Sequence, residues 1–227
     1  MFEQYINREN TIFKIMQEFL DAGLYFIVIG GYAVSAFKHR FSVDLDIVIK
    51  ESDKEKFMSL LSKKGLRRTI MRKLDHIYAP EFIRYEVKNK LPVSIDLFIG
   101  GVGSRTTDAS FSFEQLKENS EKRNIIGLEK EIVVRIPKKE MLIILKLHSG
   151  RLTDFRDIAA LGKNMNLDLI RKFVWKGKKS IVKKNIKRFL SLLEDKNFMD
   201  GFKGVFIEKK YDVDTGELKK LKWLLER

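Results

Sequence analysis

Residues 24–49 read LYFIVIGGYAVSAFKHRFSVDLDIVI. Leu24–Ile29 is a continuous apolar run rich in β-branched residues, which predicts a buried strand. Gly30-Gly31 breaks the run, and Tyr32–Phe37 resumes at helical spacing. Val43–Ile49 then alternates. Val43, Leu45, Ile47 and Ile49 point one way, and Asp44, Asp46 and Val48 the other. The unit is therefore strand, Gly-Gly, helix, and a half-buried strand with two carboxylates on its open face.

Each part of this unit has a chemical reading. Two glycines after a buried strand let a phosphate chain approach the backbone, and the helix that follows offers free N–H groups and the positive end of its dipole. Asp44 and Asp46, two apart on a strand, place their carboxylates on one face, close enough to share divalent cations. Two like charges so placed are unfavourable without a counter-ion. Further on, Val93-Ser94-Ile95-Asp96-Leu97-Phe98 sets a lone acid inside an apolar strand. Asp96 completes a carboxylate cage if the two strands are neighbours. A solvated edge strand would also alternate, but it would not require the preceding Gly-Gly.

Working outward, Asn10 is expected to cap a helix running to about Asp21 and stopped by Gly23. Ser52 or Asp53 caps the next helix, which ends at Gly65. Strands are expected at Arg67–Arg72, His76–Ala79, Phe82–Val87 and Val93–Phe98, followed by a Gly/Ser/Thr-rich loop over Ile99–Ser110. Pro137 suits the first turn of a helix. Beyond it the pattern is almost wholly helical, over about 138–149, 154–163, 167–175, 179–194 and 216–226. The shift from β-rich to helical sequence predicts a boundary near Pro137, giving domains of residues 1–136 and 137–227.

The motif Ile29-Gly30-Gly31, twelve residues, then Asp44-Leu45-Asp46 resembles the signature of the DNA polymerase β-like nucleotidyltransferase superfamily. That resemblance implies an α/β nucleotidyltransferase fold, a mixed β-sheet flanked by helices, here followed by an α-helical C-terminal domain. It makes Asp44 and Asp46 metal ligands, Asp96 the third catalytic carboxylate, and Gly30-Gly31 the triphosphate holder. Arg40-Phe41-Ser42-Val43-Asp44-Leu45-Asp46 is similar to the Arg-x-Ser-x-Asp-x-Asp form of several branches, which assigns Arg40 and Ser42 to the phosphates or the incoming base. Lys146-Leu147-His148-Ser149-Gly150-Arg151 with Asp154 and Asp157 resembles a segment of abortive-infection (AbiEii-like) toxin transferases. By that likeness Lys146 and Arg151 join the nucleotide site, and the downstream acid of the family falls on Asp154 or Asp157. An antitoxin partner would follow from the same likeness. The implied reaction moves a nucleoside monophosphate from a triphosphate such as ATP to an acceptor, releasing pyrophosphate.

Composition narrows the chemistry. The 227 residues are 44% hydrophobic, with 17 phenylalanines, enough for a packed core. Cysteine is absent, which excludes thiolate metal sites and disulfides. His39, His76 and His148 are isolated from one another. A bound metal is then a hard cation on carboxylates, Mg2+ or Mn2+. No apolar run approaches the roughly 18–20 residues of a membrane span, and the acidic, polar start MFEQYINREN differs from a secretory leader. A cytoplasmic protein with no membrane partner is expected.

Lys and Arg number 45 against 31 Asp and Glu, for a formal charge of +14. Nine of those bases fall between positions 171 and 188 with no acid among them. Val182, Ile186 and Phe189 form an apolar stripe there, so the lysines could be simply the wet side of a helix. The unbalanced charge favours a polyanionic partner, and RNA or a tRNA end is the expected acceptor. A small-molecule or protein acceptor, and a non-catalytic nucleotide- or RNA-binding module, are the alternatives.

Overall fold

A computed structural model describes residues 2–73, 81–88, 91–204, 206 and 213–226. The chain opens with helix α1 (Phe2–Asp21), strand β1 (Phe26–Ile29), helix α2 (Gly30–Ser35), strand β2 (Asp44–Ile49) and helix α3 (Lys54–Lys63). Strands β3 (Arg67–Lys73), β4 (Glu81–Val87) and β5 (Val93–Ile99) follow. They form a five-stranded sheet in the order β1-β2-β5-β4-β3. Only β2 and β5 run parallel; the other neighbours are antiparallel, so the sheet is mixed.

Two small hairpins come next, β6 (Gly101–Ser104) with β7 (Ala109–Ser112) and β8 (Ser120–Ile126) with β9 (Glu131–Pro137), separated by helix α4 (Phe113–Glu118). The rest of the chain is helical: α5 (Lys139–Ser149), α6 (Leu152–Leu161), α7 (Leu167–Val174), α8 (Lys179–Leu192), α9 (Lys196–Asp200) and α10 (Thr215–Lys219). One continuous apolar core joins both parts, with Ile47 and Leu97 of the sheet in the same cluster as Ile143, Leu147 and Phe189.

The departures from sequence expectation have local causes. Helix α1 begins at Phe2 rather than near Asn10; Asn10 lies inside the helix, its amide donating to Glu129 Oε2 at 2.8 Å and its Oδ1 capping nothing. Strand β1 starts two residues late, since Gly23 and Leu24 close α1 through bonds to the Leu20 and Phe19 carbonyls. The region 99–110 is not a loop. It supplies most of the β6–β7 hairpin, where Gly101 lets the strands close: a Cβ there would lie 2.6 Å from the Phe111 carbonyl oxygen. Pro137 ends β9 and does not start α5, whose first residue is Lys139. The tail helix stops at Lys219 and tightens into a 3-10 turn over Lys220–Leu225. Strand β2 is open only at its start, and Val48 is fully buried. The expected strand His76–Ala79 lies outside the described residues.

Candidate active site

The parallel pairing of β2 and β5 brings the acids together. Asp44 stands beside Ser94 and Asp46 beside Asp96, in register. On its other side Asp46 pairs with Ile29, the last residue before the glycines. Gly30 adopts φ +66°, a left-handed conformation costly for any residue with a Cβ. A Cβ at Gly30 would in addition collide with the Asp46 carboxylate, and one at Gly31 with the Ser42 hydroxyl. The two glycines thus let the start of α2 press against the acid-bearing strand. Ser42 donates its hydroxyl to the Asp44 carbonyl at 3.2 Å, which shapes the approach to that strand.

Asp46 is half-buried and its carboxylate makes no hydrogen bond or ion pair with any described residue. Burial, then the charge of Asp96, push its pKa up to about 7, with Lys146 pulling the other way. A buried carboxylate beside a like charge is stabilised by a cation, and Asp46 with Asp44 on the same face offers hard oxygen donors that could hold a magnesium or manganese ion. Among the described residues, however, no three acids or histidines converge as a ready metal cluster.

Beside these acids stands Arg84, a residue the sequence reading passed over. It sits on β4 opposite Asp96 and donates from Nε to Oδ1 at 2.6 Å and from Nη2 to Oδ2 at 2.7 Å. Its Nη2 is also 3.7 Å from Asp44 Oδ2, and its Nη1 is 3.9 Å from Glu86 Oε1. Burial raises the Asp96 pKa, and the Arg84 bonds oppose that rise. The alternation Phe82, Arg84, Glu86 against Ile83, Tyr85, Val87 was the available signal. A base on a strand beside an acid-bearing strand calls for a carboxylate across the ladder.

The helical part contributes a second charged cluster. Lys146, buried on α5, lies 3.0 Å from Asp154 Oδ1 and 2.7 Å from Asp157 Oδ2 on α6. Burial works against its charge, but the two acids outweigh it and the Lys146 pKa stands above its usual value. Arg151 grips Asp154 through Nε at 2.7 Å and Nη2 at 3.2 Å, closing the start of α6. Arg40 reaches across from the β2 approach to pair with Asp157. Arg40, Asp157, Lys146, Asp154 and Arg151 form one chain of ion pairs linking the sheet to the helices.

Between these clusters lies a cavity of about 380 Å³. Gly30 and Asp46 line one side, Lys146, Arg151 and Asp154 another, and Ile29, Phe98, Val102, Phe111, Leu142 and Leu145 give it an apolar interior. Asp44, Asp96, Arg40 and Ser42 are not part of this lining. His148 is a buried lining residue whose Nδ1 sits 2.8 Å from the Thr107 hydroxyl. Its pKa is pushed down to about 4, chiefly by burial, so it is neutral at pH 7.

Part of the basic segment packs against the β6–β7 hairpin. Lys176 donates to the Ser110 carbonyl and Gln115, and Lys178 pairs with Asp108, all beside the β6–β7 hairpin. Arg188 donates to the Gly150 carbonyl at 3.3 Å, and Arg171 stacks over Trp223. Lys179, Lys184 and Lys187 are exposed on α8. No described helix is long and apolar enough to cross a membrane.

No protein-family model matches the sequence, and no curated protein matches it. Solved structures do. A chain from H. pylori assigned as a nucleotidyltransferase aligns at a TM-score of 0.50 and 18% identity, covering 98% of this chain and 93% of its own. The lincosamide antibiotic adenylyltransferase LnuA, lincomycin-bound, aligns at 0.46 and 19% identity over 69% of this chain and 98% of its own. ANT(2")-Ia in complex with adenylyl-2"-tobramycin aligns at 0.47 and 12%, over 79% and 97%. The H. pylori likeness shows that the chain has the nucleotidyltransferase fold, a mixed sheet flanked by helices.

Proposed function

We propose that this protein transfers a nucleoside monophosphate from a nucleoside triphosphate to an acceptor hydroxyl or phosphate, with RNA as the acceptor. The observation that carries the reading is the placement of Asp46. It lies against Gly30, two residues after Asp44 and opposite Asp96, in a cavity wall that faces Lys146 and Arg151.

In this reading the acceptor oxygen attacks the α-phosphorus, the bond to the bridging oxygen of the β-phosphate breaks, and pyrophosphate leaves. Asp44 and Asp46 would hold Mg2+ or Mn2+, which when bound lowers the pKa of the attacking hydroxyl and offsets triphosphate charge. Gly30-Gly31 leaves room for the phosphates beside Asp46. Lys146 has three N–H donors and two carboxylate partners, Asp154 and Asp157, so one donor is left to face a phosphate. The Arg151 side chain is 71% exposed and can turn from Asp154 toward the same group. Arg40 is committed to Asp157 and to the Phe41 carbonyl; its role is to brace the Ser42 turn and the flank of Gly31. The apolar interior formed by Phe98, Val102 and Phe111 suits the nucleoside.

The exposed lysines of α8 support RNA, since their charge is solvated and unopposed by acids on that helix. A small-molecule acceptor is the second reading, favoured by the commitment of Lys176, Lys178 and Arg188 to contacts within the chain. The test is incubation with each labelled triphosphate, Mg2+ or Mn2+, and total RNA. Label in RNA supports the first reading. Triphosphate turnover without labelled RNA points to the second, and no turnover with any acceptor leaves a binding module.

A further inference from the structure

Resting on the reading that Asp44 and Asp46 take a divalent cation, we propose that Arg84 is a resident counter-cation that excludes metal from Asp96. Loading the third carboxylate is then an exchange of guanidinium for metal.

The geometry supports this in three ways. First, both oxygens of Asp96 are used by Arg84, at 2.6 and 2.7 Å. A bidentate guanidinium–carboxylate pair is among the stronger polar contacts; it takes one lone pair of each oxygen and sets a positive charge beside the others, so a metal must compete with it for Asp96. Second, the same guanidinium leans toward Asp44, 3.7 Å away. A divalent ion on Asp44 therefore meets a fixed positive charge at close range, and that repulsion weakens when Arg84 moves off. Third, Arg84 has somewhere to go. Glu86 lies two residues along β4 on the same face, 3.9 Å from Nη1, and is steadied there by the Ser94 hydroxyl, which donates to its Oε1 at 3.2 Å. A swing of Arg84 from Asp96 to Glu86 frees Asp96 without leaving the arginine unpaired.

The pairing also explains a contrast between the acids. Asp96 is 4% exposed and carries its own cation, whereas Asp46, one strand away in register, carries none. As folded, the site offers a cation one place, at Asp44 and Asp46. A second place opens only at the expense of the Arg84–Asp96 pair.

The experiment is a titration of the metal-free, nucleotide-free chain with Mn2+, following free ion by electron paramagnetic resonance. Wild type should bind one ion. Arg84→Gln should tighten Mn2+ by at least about tenfold, the effect of removing one charge within a few ångströms, and raise the stoichiometry toward two. Adding Asp96→Asn to that variant should cancel the second ion. Arg84→Lys, which keeps the charge but not the fork, should fall between and serves if the glutamine variant does not fold. Equal or weaker Mn2+ binding in Arg84→Gln and Arg84→Lys, with wild type binding normally, overturns the exchange and leaves the metal reading standing. Absence of Mn2+ binding in wild type and variants alike overturns both.

Discussion

Asp46 and Asp96 face one another in register across the parallel strands β2 and β5, yet Arg84 neutralises only Asp96. The unpartnered member of the pair dominates the acid–base behaviour of the metal-free site. Burial and the neighbouring acids raise the Asp46 pKa from 3.8 to about 7. A carboxyl that holds its proton more tightly when folded than when unfolded costs stability once it ionises. The metal-free chain should therefore lose stability as pH rises from about 4 to about 7. Thermal unfolding in chelator across that window reads the effect. Asp46→Asn should flatten the slope; parallel profiles for the two proteins would refute the assignment.

Metal dependence gives a second expectation. Asp44→Asn should weaken Mn2+ binding strongly and abolish turnover. Asp96→Asn should lower turnover by about a hundredfold or more while the fold survives, since the two side chains are nearly the same size. Steady-state rates and circular dichroism on each variant check both points.

Two glycines with the same backbone make a controlled comparison. Gly23 and Gly30 have φ of +67° and +66°, but only Gly30 has neighbours in the way of a Cβ. Gly23→Ala should cost about 1–2 kcal/mol, the left-handed penalty alone, and spare triphosphate binding. Gly30→Ala should cost more and impair triphosphate binding, because Asp46 must move. Equal losses in urea unfolding would show that the Asp46 contact is immaterial.

Lys146 tests the buried network. Lys146→Met removes the cation shared by Asp154 and Asp157, both 1% exposed, and leaves each with its arginine alone, so it should destabilise the chain by up to about 3 kcal/mol, the low end for breaking a buried pair. Asp154→Asn, which leaves Lys146 paired with Asp157, should cost less. Denaturant titration ranks the two.

The α8 lysines separate the acceptor readings. If they meet RNA phosphates, replacing Lys179, Lys184 and Lys187 by glutamine should flatten the dependence of RNA affinity on salt by up to about three units of log–log slope. Triphosphate affinity should hold. Unchanged RNA binding would assign those lysines to a solvated face.

What could be read in the sequence was what local pattern encodes. The β1 run, its Gly-Gly break and the alternation of β2 are short-range signals, and they located Gly30, Gly31, Asp44 and Asp46 on their elements. Asp96 could be read as a lone acid in an apolar strand, though its register against Asp46 could not. Arg84 was missed because its meaning depends on the pairing of β4 with β5, which alternation alone does not define. The choice between Asp154 and Asp157 was unanswerable from spacing. Gly150, at φ +67°, turns α6 so that both acids meet Lys146. The 99–110 stretch misled because Gly101 serves close strand packing, which composition does not distinguish from a loop.

The Arg40–Asp157 pair joins positions 117 residues apart. At synthesis rates of roughly 5–20 residues per second, Arg40 leaves the ribosome on the order of ten seconds before its partner is made. During that interval the growing chain can hold both glycines and all the β2 and β5 acids, but not the α6 acid that anchors Arg40. A nascent chain with its sheet complete is therefore still without the brace beside Gly31, and the site matures only when α6 docks.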